Sequence, residues 1–143
     1  MSEPSLRCFL DTNILVYSFM PENRAKRDKA RGLVAQALER HDGVISFQVV
    51  QEFLNVATRR PQRRMSQAEA QQYLAQVLMP LCEVWPTASL YSDALSIADE
   101  TGWAFYDSVI VSSALAAGCG VVLTEDLQTG RAIRGMEIRN PFL

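Results

Sequence analysis

Four acidic residues stand at junctions between apolar segments and the elements that follow them. Asp11 comes directly after the apolar run 6–10 and precedes a second apolar segment, and Glu52, Asp107 and Asp126 occupy comparable junctions. In open α/β sheets, ligands bind outside the carboxyl ends of the strands, which is where such junctions meet. We therefore expect the four carboxylates to converge at one edge of a sheet.

Carboxylates that converge cannot all stay ionised unless a cation lies between them. Two carboxylates about 4 Å apart repel each other by about 4 kcal/mol at an effective dielectric near 20, whereas the whole stability of a domain is about 5–15 kcal/mol. A ligand set of oxygen atoms, without histidine or thiolate, favours Mg²⁺ or Mn²⁺ over zinc. Such ions activate water and stabilise the leaving oxygen of phosphates, so the acids indicate phosphodiester hydrolysis.

The elements that must position these acids alternate between strands and helices. We predict strands at 6–10, 44–46, 82–84, 120–124 and 136–139, and helices at 13–20, 24–40, 47–60, 66–79, 88–101 and 107–117. This alternation indicates a parallel sheet covered by helices on both faces. The length of 143 residues and the 48% hydrophobic content suit one globular domain, residues 1–143, of the α/β class.

The predicted helix 88–101 shows how solvent-facing acids are placed. When its residues are projected at about 100° each, Asp93, Asp99 and Glu100 lie opposite the apolar face. Glu52 lies instead at the margin of a wide apolar arc on helix 47–60, which is where a cleft would open. The alternative interpretation of Glu52 is an ordinary edge residue paired with Arg59.

The other two acids also have structural alternatives. Asp107 begins an almost entirely apolar helix, so it could serve as an N-cap. Asp126 follows the apolar strand 120–124 and could be a simple turn residue. The adjacent Glu125 is the substitute for Asp126 if the end of that strand is displaced by one residue.

The charge distribution and the numbers of histidines and cysteines limit the functions that this chain could have. The net charge is −2, yet Arg59, Arg60, Arg63 and Arg64 stand together and could contact RNA phosphates, unless they form a solvated face. The chain has one histidine, which excludes catalysis by a pair of histidines. Its three scattered cysteines argue against a disulfide framework, so we expect a cytoplasmic protein without an export signal or membrane span.

The order of these motifs resembles a known family. The residues that carry the resemblance are Phe9-Leu10-Asp11-Thr12-Asn13, Glu52 in a helix after a strand, Tyr106-Asp107-Ser108, Leu123-Thr124-Glu125-Asp126 and the ending 138–142. Together they are similar to the PIN-domain nucleases, especially the VapC-like toxins of bacterial toxin–antitoxin pairs. The resemblance covers nearly the whole chain. It implies a three-layer α/β sandwich, in which helices flank a central and mainly parallel sheet.

The resemblance also implies an activity, partners and residue roles. It implies a divalent-metal endoribonuclease, using Mg²⁺ or Mn²⁺, that leaves a 5′-phosphate and a 3′-hydroxyl, often forms a homodimer and is often inhibited by a cognate antitoxin. The four acidic positions of the family match Asp11, Glu52, Asp107 and Asp126, and its supporting polar positions match Asn13 and Thr124. Asp11 would bind the principal ion, and Glu52 would hold a water or a second ion.

Three other functions are compared with the toxin nuclease. One alternative is a PIN nuclease of another RNA pathway. A second alternative is a PIN-like binding module without turnover, although the presence of all four acids is more typical of an active enzyme. A haloacid-dehalogenase-like phosphatase also has an aspartate after its first strand, but it needs a second acid two residues later and a lysine far downstream. Asn13 occupies the first of those positions, and both lysines, Lys26 and Lys29, lie near the N-terminus. The phosphatase is therefore disfavoured.

Overall fold

A six-stranded sheet forms the centre of the protein. The computed structural model describes residues 6–59 and 65–143. The strands are β1 Cys8–Leu10, β2 Gly43–Ser46, β3 Cys82–Val84, β4 Val121–Leu123, β5 Ala132–Ile133 and β6 Met136–Arg139, in the spatial order β3-β2-β1-β4-β6-β5. β1 lies between β2 and β4 and is parallel to both. The pair formed by β2 and β3 and the pair formed by β4 and β6 are also parallel. β5 is antiparallel to β6.

Helices flank this sheet and complete the predicted α/β sandwich. They are α1 Thr12–Phe19, α2 Arg24–Arg40, α3 Phe47–Arg59, α4 Gln67–Tyr73, α5 Met79–Leu81, α6 Ala88–Thr101 and α7 Phe105–Ala116. The fold class predicted from the sequence, with a central and mainly parallel sheet between helices, is therefore confirmed. Across residues 6–59 and 65–143, no helix is both long and apolar enough to cross a membrane.

Most elements begin and end within two residues of their sequence-based boundaries; β1, for example, begins at Cys8 and not at position 6. The predicted helix 66–79 is divided, because a π-helical segment, Leu74–Leu78, separates α4 from α5. The helix predicted at 107–117 begins at Phe105, two residues earlier. β5 was not predicted; it has two residues, too few to show a periodicity, and it reaches β6 through Arg134 and Gly135, which both have positive φ as in a tight hairpin turn.

The central strands carry apolar residues on both faces because helices bury both sides of the sheet. Phe9 and Leu10 of β1 and Val44 and Ile45 of β2 have no exposed surface, as expected for parallel strands covered by helices on both sides. The start of β2 also requires a glycine. A Cβ atom at Gly43 would lie 2.2 Å from the Cβ atom of Ala37, so the absence of a side chain lets α2 pack against the sheet.

Candidate metal centre and active site

Asp11 lies at the carboxyl end of β1, where it is the N-cap of α1. Its Oδ1 atom accepts a hydrogen bond of 2.7 Å from the Thr12 amide, and its Oδ2 atom accepts one of 2.8 Å from the Thr124 hydroxyl. The side chain is buried, with 5% of the residue exposed. Burial raises the pKa of Asp11 to about 6, the two hydrogen bonds oppose that rise, and repulsion from Asp126 and Glu52 adds to it.

Glu52 is held from two directions on α3. The Thr12 hydroxyl donates to its Oε2 atom at 2.8 Å, and Gln48 Nε2, one turn earlier on the same helix, donates to its Oε1 atom at 2.7 Å. Gln48 Nε2 also donates a hydrogen bond of 3.3 Å to the carbonyl oxygen of Tyr106. Among the described residues, no ion pair joins Glu52 to Arg59. The alternative interpretation of Glu52 as the partner of that arginine is therefore wrong.

Asp107 lies in the first turn of α7 and is not its N-cap. The N-cap is Ala104, because the helix begins at Phe105, so the alternative role of Asp107 as the cap is also wrong. Burial raises the pKa of Asp107, and repulsion from Asp126 and Glu52 raises it further. The Asp107 carboxylate is therefore within electrostatic range of Asp126 and Glu52.

The loop after β4 separates two neighbouring acids. The Asp126 amide donates to Thr124 Oγ1 at 3.0 Å, and Asp126 Oδ2 accepts from Asn13 Nδ2 at 3.2 Å. Glu125 instead accepts a hydrogen bond of 2.6 Å from the Tyr17 hydroxyl and forms an ion pair with Lys26. The structure thus brings Asp126 to Asp11 and takes Glu125 to a different set of partners.

Electrostatic repulsion relates the predicted acids in part. Asp126 and Glu52 each raise the pKa of both Asp11 and Asp107. Within residues 6–59 and 65–143, however, no group of three or more histidine, cysteine or acidic side chains is arranged to hold a metal ion.

The donor atoms of these residues are nevertheless of the kind that a hard divalent cation binds. Their donor atoms are carboxylate, hydroxyl and amide oxygens, which are the ligands of Mg²⁺ and Mn²⁺. Two buried amide oxygens beside the acids, Asn13 Oδ1 and Gln48 Oε1, have no hydrogen-bond partner among the described residues. Buried acceptors without a donor are costly, and a cation or its hydration water would satisfy them. A cation would also offset the burial of the Asp11 carboxylate.

Two residues of this site were given no role from the sequence. Thr12 belongs to the Asp11 motif, and its hydroxyl donates a hydrogen bond to Glu52, which lies 40 residues away along the chain. Gln48 precedes Glu52 by four residues, the spacing at which side chains on a helix face each other, and this spacing was the available signal. Of the predicted RNA-binding arginines, Arg59 is exposed in the last turn of α3. Arg60, Arg63 and Arg64 lie outside the described residues.

Comparisons with known proteins agree with this fold. The family model described as "PIN domain" matches residues 8–133. No curated protein matches the chain. Among solved structures, a toxin–antitoxin complex from Klebsiella pneumoniae has 19% identity and a TM-score of 0.65, covering 94% of this chain and 97% of that chain.

Two further solved structures show the same likeness. FitAB bound to an IR36 DNA fragment has 19% identity, a TM-score of 0.66 and coverage of 95% and 96%. VapC20 of Mycobacterium tuberculosis, described as a Sarcin-Ricin loop cleaving toxin, has 20% identity, a TM-score of 0.62 and coverage of 83% and 91%. At these identities the likeness concerns the fold.

Proposed function

Because this chain belongs to the PIN-domain family, we propose that it is a divalent-metal-dependent endoribonuclease and the toxin of a toxin–antitoxin pair. The observation that supports the proposal is that Asp126 and Glu52 each raise the pKa of both Asp11, at the carboxyl end of β1, and Asp107. Oxygen-only sites of this kind serve phosphate chemistry. The fold likeness to toxin structures supports the toxin assignment.

Each acid has a role in the proposed hydrolysis of RNA. Asp11, Asp107 and Asp126 would hold a Mg²⁺ or Mn²⁺ ion, whose charge promotes ionisation of water and balances the phosphodiester oxygens. Thr12 and Gln48 keep the Glu52 carboxylate in one position, from which it would orient the attacking water and accept its proton. As the bond between phosphorus and the 3′-oxygen breaks, a proton from solvent would neutralise that oxygen. The products would be a 5′-phosphate and a 3′-hydroxyl.

Asn13 and Thr124 orient the carboxylates through hydrogen bonds. Thr124 donates to Asp11 and accepts from the Asp126 amide, so a single hydroxyl links two of the acids. Asn13 donates to the Asp126 carboxylate. Such supporting hydrogen bonds orient ligands, and their loss typically lowers metal affinity or activity by about 10–100-fold.

Cleavage of a labelled RNA tests the proposal directly. We expect cleavage with Mg²⁺ or Mn²⁺, loss of cleavage in excess EDTA and loss in the Asp11→Asn variant. Asp99→Asn, which neutralises an exposed acid of α6, is the matched control and should cleave like the wild type. Undiminished cleavage in EDTA would rule out the metal-dependent mechanism. Metal and RNA binding without cleavage would instead favour the binding module.

Growth measurements distinguish a toxin from a PIN nuclease of another RNA pathway. Expression of the wild-type chain should arrest growth, Asp11→Ala should abolish the arrest, and co-expression of the neighbouring small reading frame, as the cognate antitoxin, should restore growth. Arrest that this reading frame does not relieve would favour the non-toxin nuclease.

An exposed aromatic surface supports the expected homodimer. The rings of Phe47, Tyr91, Phe105 and Tyr106 contact one another in series, with centroid separations of 6.4, 6.5 and 5.8 Å. Tyr106 is 72% exposed, and Leu95, one turn after Tyr91 on α6, is 61% exposed. Contiguous apolar surface of this kind marks interaction sites.

Light scattering tests this interface. Leu95→Lys should convert a dimer into a monomer, because it places a charge in the aromatic surface. Met79→Lys, which changes an exposed apolar residue of α5, is the control and should leave the mass unchanged. A wild-type chain that is monomeric at high concentration would contradict the homodimer.

The basic end of α3 is the proposed contact for RNA phosphates. Arg59 is exposed there, and Arg60, Arg63 and Arg64 follow it in the sequence. Each neutralised phosphate releases counterions, so binding through these arginines should weaken as salt rises. An RNA affinity that stays constant between 50 and about 200 mM salt would remove the arginine cluster from the proposed interface.

A further inference from the structure

We propose that Lys26 and Tyr17 are positioning residues that hold Glu125 away from the acidic site and thereby present Asp126 to it. Glu125 and Asp126 are adjacent in the loop after β4, and either could enter the site from sequence position alone. The inference rests on the proposed function, because Asp126 acts there as a metal ligand.

Both carboxylate oxygens of Glu125 have partners outside the acidic site. The Tyr17 hydroxyl, from α1, donates to Oε2 at 2.6 Å, and Lys26 Nζ, from α2, forms a close ion pair with Oε1. Lys26 Nζ also lies 3.3 Å from the Tyr17 hydroxyl, to which it donates. The Lys26 and Glu125 side chains are 29% and 26% exposed, so solvent screens this ion pair less than one on an open surface.

Aromatic rings restrict the position of the Lys26 ammonium group. Its Nζ atom lies 4.7 Å from the centroid of the Tyr17 ring and 5.4 Å from that of Phe142. The two rings contact each other edge to face, with centroids 5.2 Å apart. Cation–π attraction favours this placement, so Lys26 reaches Glu125 from a site built by α1, α2 and the end of the chain.

The opposite side of the same loop is tied to the acids. The Asp126 amide donates to Thr124 Oγ1, and the Asp126 carboxylate accepts from Asn13. Because successive residues share one peptide unit, holding the Glu125 side chain on one side limits how far the Asp126 backbone can move. Release of Glu125 would loosen Asp126 and allow a second carboxylate to compete for its place.

The test compares two lysine variants of α2. Lys26→Met removes the ion pair, whereas Lys29→Met removes the same charge from an exposed position three residues later, for which the described part of the chain shows no ion pair with Glu125. Thermal unfolding at increasing Mn²⁺ gives the half-saturating metal concentration, and labelled RNA gives kcat and KM. For Lys26→Met we expect that concentration to rise about tenfold, with kcat recovering at high Mn²⁺ and KM unchanged. Lys29→Met should keep the wild-type metal affinity, and Lys26→Arg should restore it.

The outcomes separate this inference from the proposed function. An equal metal affinity for Lys26→Met and Lys29→Met would overturn the inference, as would a raised KM with unchanged metal affinity, which would place Lys26 on the RNA. If Lys26→Met does not fold, Tyr17→Phe removes one hydrogen bond and keeps the ring contacts; an unchanged metal affinity in that variant would equally overturn the inference. A wild-type protein that Mn²⁺ does not stabilise would overturn both proposals.

Discussion

Removal of the Asp11 charge should stabilise the protein in the absence of metal. Burial raises the pKa of this carboxyl from 3.8 to about 6. Because the folded state holds this proton more tightly than the unfolded state, the contribution of Asp11 to stability is most favourable below about pH 4 and is lost as the pH rises through 6. The difference of about 2 units corresponds to about 3 kcal/mol at neutral pH, at 1.36 kcal/mol per unit.

The substitution Asp11→Asn recovers most of this free energy. The amide oxygen can still accept the hydrogen bond from the Thr12 amide, but the amide nitrogen cannot accept the hydrogen bond of 2.8 Å from the Thr124 hydroxyl. Loss of that bond costs about 1 kcal/mol. We therefore expect a net gain of about 2 kcal/mol at pH 7.5, which is a rise in Tm of roughly 4–8 °C for a chain of this length.

Urea unfolding in EDTA measures this gain. The gain should be present at pH 7.5 and should turn into a deficit of up to about 1 kcal/mol near pH 4, where the wild-type carboxyl is protonated in the folded protein and only the loss of the Thr124 hydrogen bond remains. Asp99→Asn neutralises an exposed acid and should leave the free energy of unfolding nearly unchanged at both pH values. A variant that is less stable than the wild type at pH 7.5 would refute the argument from burial.

Added metal should reverse the order of the two proteins. An ion at one hundred times its Kd stabilises the folded state by about 2.7 kcal/mol. The wild type should gain this amount with Mn²⁺, whereas Asp11→Asn should gain much less because it lacks the central carboxylate. Equal stabilisation of both proteins by Mn²⁺ would show that Asp11 is not a ligand.

Three other substitutions test the site and the fold. Gln48→Met removes the donor to Glu52 and should lower single-turnover RNA cleavage about tenfold, whereas Gln51→Met, on the exposed side of α3, should not. His41 is the C-cap of α2 and has a φ of 56°, in the left-handed region that strains a residue with a Cβ atom. His41→Gly should therefore raise the free energy of unfolding in urea by about 1 kcal/mol; a decrease would show that the backbone at this position is not strained. Phe53→Ala removes a fully buried ring and should cost about 3–5 kcal/mol in the same assay; a cost below about 1 kcal/mol would show that the core closes around the gap.

The apolar pattern accounts for most of the fold. Phe9 and Leu10 belong to a run without alternation, which is typical of a strand buried on both faces, and they have no exposed surface. α6 keeps its predicted boundaries because its N-cap Thr87 and terminal Gly102 are local signals. β5 and the π-helical segment could not be predicted, since two residues carry no period and the widened turn depends on packing.

The sequence by itself determined where the acids stand along the chain, because the end of an apolar strand is a local feature. Only the tertiary structure decided their partners. Thr124 reaches Asp11, and Asn13 reaches Asp126, across 113 residues, because β1 and β4 pair in parallel and place their carboxyl ends side by side. The choice between Glu125 and Asp126 was likewise open in the sequence, since neighbouring acids in a loop are locally equivalent. In the structure, Lys26 and Tyr17, which lie far away along the chain, both contact Glu125.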